Sequence, residues 1–198
     1  MKKKFAYTLA EILIVLGIIG VVSAITLPII IQNYKKQVYS SRLKKFYSSM
    51  NQAILMYNTE NGVESKDWNV PKSPNTNSTA AKIFWNTYFA KYFKNVLKTE
   101  VGYVNRYDFY VYFNDGTYLD IHGGDGVDVT YWLDKRNRFT FYFSPQVGKF
   151  VPFIWNLDAK KLNDRNYVKN QCKNNSAYCT QLLYLDNWEF KKDYPHKL

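Results

Sequence analysis

Residues 5–31 read FAYTLAEILIVLGIIGVVSAITLPIII and form the most apolar part of the chain. No residue from Ile12 to Tyr34 is charged, and an almost continuous apolar run extends from Ile12 to Ile31. Twenty residues of α-helix rise about 30 Å, which is close to the thickness of the hydrocarbon core of a bilayer. The stretch therefore predicts a membrane-spanning helix.

Several residues in and before this run depart from a plain apolar helix. Three lysines at positions 2–4 precede it, and one carboxylate, that of Glu11, lies at its start. An ionised side chain in a membrane span costs roughly 2.5–3.5 kcal/mol on insertion scales, so we expect Glu11 to be functional and to have a partner. Gly20 and Ala24 are small residues four apart, a spacing that allows helices to approach closely. Pro28 has no backbone donor and is expected to kink or locally open the helix.

The residues around Glu11 resemble those of a known family. A basic leader, then Ala6, Tyr7, Thr8, Leu9, Ala10 and Glu11, then the apolar run, resembles the processing signal of type IV prepilins and type II secretion pseudopilins. In that family a prepilin peptidase cuts just before the apolar segment and N-methylates the new amino terminus. The glutamate is the fifth residue of the mature chain, so counting back from Glu11 places the cut between Ala6 and Tyr7.

The resemblance has supporting matches and departures. Gly20 and Pro28 fall where the family usually has a glycine and a proline. Glycine is commoner in the family at the position of Ala6, and phenylalanine or methionine is commoner at the position of Tyr7. The matching residues make up about 30 of the 198 in the chain.

The resemblance implies a filament subunit that begins in the bacterial inner membrane. Residues 1–6 would be the leader, residues 7–34 the transmembrane and filament-core half of a long helix, and residues 35–198 an exported globular domain. The partners implied are prepilin peptidase and other pilin or pseudopilin subunits. Glu11 of an incoming subunit would pair with the Tyr7 ammonium of its neighbour. Basic residues flank the span on both sides, so charge does not fix its orientation, and the processing signal implies a cytoplasmic amino terminus.

The helical pattern continues beyond the apolar run. Apolar residues recur at three- and four-residue spacing, which predicts one helix from Tyr7 to about Asn58. These residues are Tyr39, Leu43, Phe46, Met50, Ile54 and Tyr57. Asn61-Gly62 then supplies a stop signal. The second half of this helix is expected to lay one stripe against a globular domain.

The rest of the chain predicts a sheet after a second helix. Residues 62–80 are expected to form a loop, and Ala80 to Leu97 a helix. Strand signals follow at 107–113, 117–121, 127–133, 138–143 and 149–155, with a hairpin turn at Asn114-Asp115-Gly116. Residues 157–178 read as a surface loop, and Gln181 to Leu185 as a final strand. The prediction is an α+β fold in which a long N-terminal helix packs on an antiparallel sheet, which is also the pilin fold.

Charge and composition widen the list of partners. The chain has a net charge of +11 and 18% aromatic residues. Such a balance favours contact with an anionic polymer, DNA or polysaccharide, although a solvated basic face gives the same composition. The candidate contact is the basic 157–178 segment, which contains Lys160, Lys161 and Lys169.

Few residues indicate site chemistry. Cys172 and Cys179 are the only cysteines, and they can form one disulfide if the domain lies outside the inner membrane. Asp120, Asp125 and Asp128 are weak candidates for a calcium site, because their spacing fits no EF-hand and Asp-Gly is primarily turn chemistry. No phosphate-binding glycine loop, nucleophile elbow or zinc-helix motif occurs, so we expect a non-enzymatic protein without a cofactor.

Two alternatives compete with the filament subunit. Val22-Ser23-Ala24 resembles the small-residue cleavage site of an ordinary signal peptide, which would give a secreted protein. The apolar run continues to Ile31, past that cleavage site, and Glu11 interrupts its front. The other alternative is a membrane-anchored carbohydrate- or DNA-binding module that does not polymerise. The sequence does not distinguish major pilin, minor pilin and pseudopilin.

Overall fold

The computed structural model describes residues 8–70, 78–102, 109–123 and 127–198. The sequence predictions at Ala6, Tyr7 and Asp125 lie outside these ranges. The helices are α1 Leu9–Asn61, α2 Ser78–Tyr88, α3 Arg165–Asn174 and α4 Cys179–Leu185. The strands are β1 Val96–Val101, β2 Phe109–Phe113, β3 Tyr118–Gly123, β4 Val127–Trp132, β5 Arg138–Ser144 and β6 Lys149–Pro152.

Helix α1 is a single helix of 53 residues, about 80 Å long at 1.5 Å per residue. Thr8 caps its start, and Gly62 ends it in the left-handed region at φ 63°, where glycine carries no steric penalty. The Gly62 N–H donates to the Asn58 carbonyl. The predicted helix is therefore confirmed, with an end three residues later than expected.

The sheet is an antiparallel meander in which the strands follow in the order β1 to β6. Side chains alternate between its two faces, as the sequence pattern predicts. In β5, Phe139, Phe141 and Phe143 are buried, whereas Arg138 is exposed. The predicted α+β architecture, with a long apolar N-terminal helix and a sheet domain, is confirmed.

The second half of α1 forms the main core with the inner face of the sheet. The Phe46 ring stacks on Tyr131 with centroids 3.9 Å apart and meets Phe141 edge-on at 5.4 Å. At the far end of the sheet, Trp68 stacks on Tyr88 at 4.1 Å and lies 5.0 Å from Phe143. The predicted stripe of α1 is confirmed: five of its residues are buried and Tyr57 packs against the same core, these being Tyr39, Leu43, Phe46, Met50, Ile54 and Tyr57.

The predicted second helix is wrong over its last part. Helix α2 ends at Tyr88, a single 3-10 turn spans Ala90–Tyr92, and strand β1 begins at Val96. Five of the six β1 residues are exposed, since β1 is an edge strand. Burial therefore imposes no alternation on its sequence, and the residues Val96 and Leu97 fitted the helical spacing equally well.

Two further predictions near the C-terminus are wrong. Residues 157–178 contain helix α3 rather than only a loop, and Gln181 to Leu185 belong to α4 rather than to a strand. The Asp164 carboxylate caps α3 by accepting from the Asn166 and Tyr167 amides at 2.9 and 3.2 Å. A short apolar run such as that of α4 fits a buried helix and a buried strand alike. Strand β6 also ends at Pro152, short of the predicted 155.

Candidate functional site

The start of α1 places the Glu11 carboxylate against its own helix terminus. Glu11 Oε2 accepts from the Thr8 backbone amide at 2.8 Å and from the Thr8 hydroxyl at 2.9 Å. The Glu11 amide in turn donates to Thr8 Oγ1 at 3.2 Å. This reciprocal arrangement is a capping box, which satisfies two helix donors at once. In the single chain the partner of Glu11 is therefore Thr8, and the sequence signal for it was the Thr-x-x-Glu spacing.

The large apolar side chains in the first half of α1 are exposed in the part of the chain that the structure describes. Those from Leu9 to Ile31 are between 46% and 76% exposed. A Cβ placed on Gly20 would meet nothing within 4 Å. By length and composition, α1 is one helix that could cross a membrane. An apolar surface of this length needs either lipid or other protein around it.

Pro28 lies inside α1 without ending it. The sequence suggested that the helix could open locally at this proline. The helix instead continues through it. A proline inside a helix removes one backbone hydrogen bond and crowds the carbonyl four residues earlier. Two residues earlier, the Thr26 hydroxyl donates to the Val22 carbonyl at 2.9 Å. Pro28 therefore marks a weaker point in a continuous rod.

A disulfide joins Cys172 of α3 to Cys179 of α4, as the sequence suggested for an exported domain. Both residues are buried with Val168 and Leu182 in a second, smaller core. The His196 ring lies 2.9 Å from the Cys172 carbonyl, so the C-terminal tail is bound to the same unit. Sulfur atoms in a disulfide are not thiolate ligands, so proximity of His196 to both cysteines does not make a metal site.

An ion-pair network that the sequence analysis missed fixes this C-terminal unit. Arg165 donates to the buried Asp186 through Nε at 2.6 Å and Nη2 at 2.8 Å, and it also pairs with Asp193 at 2.8 Å. Lys191 approaches Asp186 at 2.7 Å, and Lys169 approaches Asp193 at 3.0 Å. Arg165 and Lys169 are separated from their carboxylate partners by 21 to 28 positions, and such pairs give no periodic signal in a sequence, so this network was not predictable.

The network sets the titration of its carboxylates. Burial raises the pKa of Asp186, but hydrogen bonds from Arg165 and Lys191 outweigh it and hold the pKa below its ordinary value. The same Arg165 lowers the pKa of Asp193 and has its own pKa raised. Both carboxylates are therefore charged near neutral pH.

Two of the three calcium candidates lie among the described residues. Asp120 and Asp128 lie on the outer face of β3 and β4, where Asp128 pairs in register with His122 rather than with Asp120. The Asp120 carboxylate accepts from the Trp132 indole at 2.6 Å. Burial raises the pKa of Asp128 to about 6, with a partial offset from His122. Asp120 is therefore engaged by an indole donor, and Asp128 is opposite an imidazole rather than a second carboxylate.

The basic segment proposed for polymer binding is partly neutralised within the chain. Lys161 lies 3.6 Å from Asp158, and Lys169 lies 3.0 Å from Asp193, whereas Lys160 makes no ion pair among the described residues. Lys160 and Lys161 belong to a 3-10 turn, and Lys169 lies within α3. The three lysines therefore do not form one row of unpaired charges.

Comparison with protein families links most of the chain to one of them. A model described as a family of unknown function (DUF6613) matches residues 29–142 and 134–198. These ranges cover the end of the apolar run and the whole sheet domain with its C-terminal helices. Comparison with curated proteins gave no match, and comparison with solved structures gave none either. The chain belongs to this family of unknown function, DUF6613.

Proposed function

We propose that this protein is a structural subunit of a type IV pilus or of a type II secretion-like filament, in the role of pilin, minor pilin or pseudopilin. One observation carries the proposal: the exposed apolar half of α1, headed by Glu11, is continuous with the buried spine of a sheet domain. Such a rod fits a subunit that is first surrounded by lipid and afterwards by neighbouring rods. The role is structural and non-enzymatic.

The proposed life of the subunit starts in the inner membrane. The amino terminus is cytoplasmic, the apolar half of α1 spans the bilayer once, and the sheet domain is exported. Prepilin peptidase removes residues 1–6 by cutting between Ala6 and Tyr7 and methylates the new terminus. An exported domain suits the Cys172–Cys179 disulfide, because disulfides persist in oxidising compartments.

Assembly then exchanges the partners of α1. The capping box with Thr8 satisfies the Glu11 carboxylate in the single subunit. In the filament, Glu11 pairs with the Tyr7 ammonium of a neighbour and sets the axial register, which is the best attested use of a buried ion pair. Gly20 allows a close helix approach on a face that is open in the subunit.

Processing and assembly are testable in one preparation. Cells expressing the full chain with a prepilin peptidase and assembly machinery are sheared, and the released fibres are separated from membranes. We expect chain in the sheared fraction, with an N-methylated Tyr7 as its first residue by intact-mass and N-terminal analysis. A first residue of Ile25 establishes the signal-peptide alternative, and processed chain that never leaves the membrane contradicts the filament role.

A non-polymerising membrane-anchored binding module is the second candidate. The outer face of the sheet carries a row of rings in which Tyr112 and Tyr118 lie 5.4 Å apart and Tyr118 and Trp132 lie 5.5 Å apart. The Arg138 guanidinium lies 5.3 Å from the Trp132 ring. Aromatic rings beside cations are used to bind polysaccharide or single-stranded DNA. Binding of such a polymer by a chain that forms no fibres would favour this candidate.

A further inference from the structure

Three segments of the chain meet just beyond the end of the apolar run, and one of them belongs to α1 itself. Lys35 and Lys36 follow Ile31 by four and five residues, about 6–8 Å along the helix axis. The β4–β5 turn reaches this level, because Asp134 accepts from the Tyr39 hydroxyl and lies 3.4 Å from Lys35 Nζ. The third segment is the C-terminal tail.

The tail descends further along α1 than the turn does. Phe190 meets Phe139 at the start of β5, with ring centroids 6.0 Å apart. Leu198 packs against the main core and also lines a groove with Leu27, Ile31 and Lys35. The end of the chain therefore lies beside the last apolar residues of the span.

These segments bring together an excess of positive charge. We use the name basic collar for Lys36, Lys135, Arg136 and Lys197, none of which makes an ion pair with any residue that the structure describes. Lys135, Arg136 and Lys197 are exposed. The nearby Asp134 carboxylate lies 3.4 Å from Lys35 Nζ, so its charge is offset by a cation outside the collar.

We propose that the basic collar binds the phosphate groups of anionic phospholipids in the leaflet that faces the head, by which we mean the sheet with helices α2 to α4 and the C-terminal tail. Each Lys or Arg close to an anionic membrane surface strengthens the attraction to that surface. The four charges of the collar therefore hold the head close to the bilayer. This inference rests on the proposed membrane insertion and adds a lipid partner to it. It also accounts for cations on the exported side of the span.

The position of the collar favours lipid over nucleic acid. Its cations lie on three separate segments near the end of the apolar run, whereas a polynucleotide contact needs a path of cations along a groove. Tyr34 is 67% exposed at the same depth, which suits the aromatic belt of a membrane interface.

The experiment compares two bilayers around the full chain. The chain is reconstituted in nanodiscs of phosphatidylcholine alone or with three-tenths phosphatidylglycerol, and hydrogen exchange is followed in peptides covering 133–137 and 190–198. We expect at least about fivefold slower exchange in the anionic discs at low salt, which corresponds to about 1 kcal/mol. The difference should shrink at high salt.

A matched pair of variants tests the residues. Lys135→Glu with Arg136→Glu should abolish the difference between the two bilayers. The control is Lys82→Glu with Lys149→Glu, and both of these lysines are exposed. They lie at the opposite end of the head, near the end of α1. There, Tyr88 of α2 contacts Tyr57, and Gly148 faces Ser65. This control has the same change in charge and should keep the difference.

Four outcomes would overturn the proposal. Equal exchange in both bilayers, for a chain that resists alkaline carbonate extraction, removes the lipid contact and leaves the proposed function intact. Loss of the chain on carbonate extraction removes membrane insertion and the proposed function with it. Equal protection by inorganic phosphate in phosphatidylcholine discs replaces the lipid by a free anion. Equal protection by a single-stranded oligonucleotide in those discs replaces it by nucleic acid.

Discussion

The side-chain amide of Asn51 satisfies both backbone groups of Phe150. Asn51 Oδ1 accepts from the Phe150 N–H at 3.0 Å, and Nδ2 donates to the Phe150 carbonyl at 3.1 Å. Phe150 lies in β6, the last strand at one edge of the sheet. The amide takes the place of a neighbouring strand residue, so α1 covers this edge and is aligned to the sheet at one position.

Replacing Asn51 should therefore destabilise the head. Asn51→Ala leaves the Phe150 amide and carbonyl without these partners and should lower the free energy of unfolding by about 2 kcal/mol. Gln52→Ala, at the exposed neighbouring position of the same helix, should change it by less than about 0.5 kcal/mol. Denaturant unfolding of the full chain in detergent measures both. Equal effects from the two variants would mean that the Asn51–Phe150 clamp, formed by these two hydrogen bonds, contributes nothing to the free energy of unfolding.

Asp186 should make the C-terminal unit sensitive to acid. Its folded pKa is held below the unfolded value, so its stabilisation is present above about pH 4 and is lost as the pH falls further. Asp186→Asn should cost about 2 kcal/mol at pH 7, less than a fully isolated buried charge, because Arg165 keeps Asp193. Asp158→Asn, an exposed pair, is the control and should cost less than about 0.5 kcal/mol. A variant with unchanged acid sensitivity would contradict this role.

Asp128 should act in the opposite direction. Its folded pKa of about 6 exceeds the unfolded value, so the folded state binds the proton more tightly and stability rises as the pH falls from about 6 to about 4. Asp128→Asn should stabilise the head at pH 7.5 by the order of 1 kcal/mol, after allowance for solvent screening. The gain should shrink as the pH falls and vanish near about pH 3, where Asp128 is protonated in both the folded and the unfolded state. Unfolding curves across this range check it, and a gain that persists at about pH 3 would assign it to another cause.

The disulfide should stabilise mainly the C-terminal unit. Closing the short loop between Cys172 and Cys179 contributes roughly 2.5 kcal/mol in the chain-entropy model. Cys172→Ser with Cys179→Ser should therefore speed hydrogen exchange in residues 170–185 more than in the sheet. Thiol alkylation of chain recovered from cells without reductant reports the bond directly. Full alkylation of both cysteines would show that the bond is absent from the protein in cells.

In some elements of this fold, burial on one side makes apolar residues recur at a regular spacing in the sequence, and in other elements it does not. The α1 stripe and the inner faces of β2 to β5 are buried on one side only, so apolar residues recur with the helical or strand period. Strand β1 is exposed on its edge, and α4 is buried almost throughout, so neither carries a period. Both were assigned wrongly for this reason.

The candidate sites divide in the same way. The Thr8–Glu11 capping box is a local contact, and its four-residue signature is legible in the sequence. The Asn51–Phe150 clamp and the Arg165–Asp186 pair join residues 99 and 21 positions apart. Only the folded topology brings such residues together, and single polar residues at those separations leave no pattern in the sequence.

The last prediction separates the two partners proposed for Glu11. Glu11→Ala removes the carboxylate from both the capping box and the contact with a neighbouring Tyr7 ammonium. Thr8→Ala removes only the cap, at a cost of about 1 kcal/mol to the helix terminus, and leaves the carboxylate available in trans. Membrane insertion should persist in both variants, and Glu11→Ala should even favour it, because a costly charge is removed.

Assembly should distinguish these variants. Cleavage between Ala6 and Tyr7 should continue in Glu11→Ala, because the peptidase acts near the scissile bond, so processed chain should accumulate in the inner membrane. The fraction of chain in sheared fibres should fall about tenfold or more in Glu11→Ala, since the neighbour's ammonium is then buried without a partner. Thr8→Ala should keep most of its fibres. Loss of fibres in both variants would assign the assembly defect to the helix cap, and normal incorporation of Glu11→Ala would show that Glu11 is not the assembly contact.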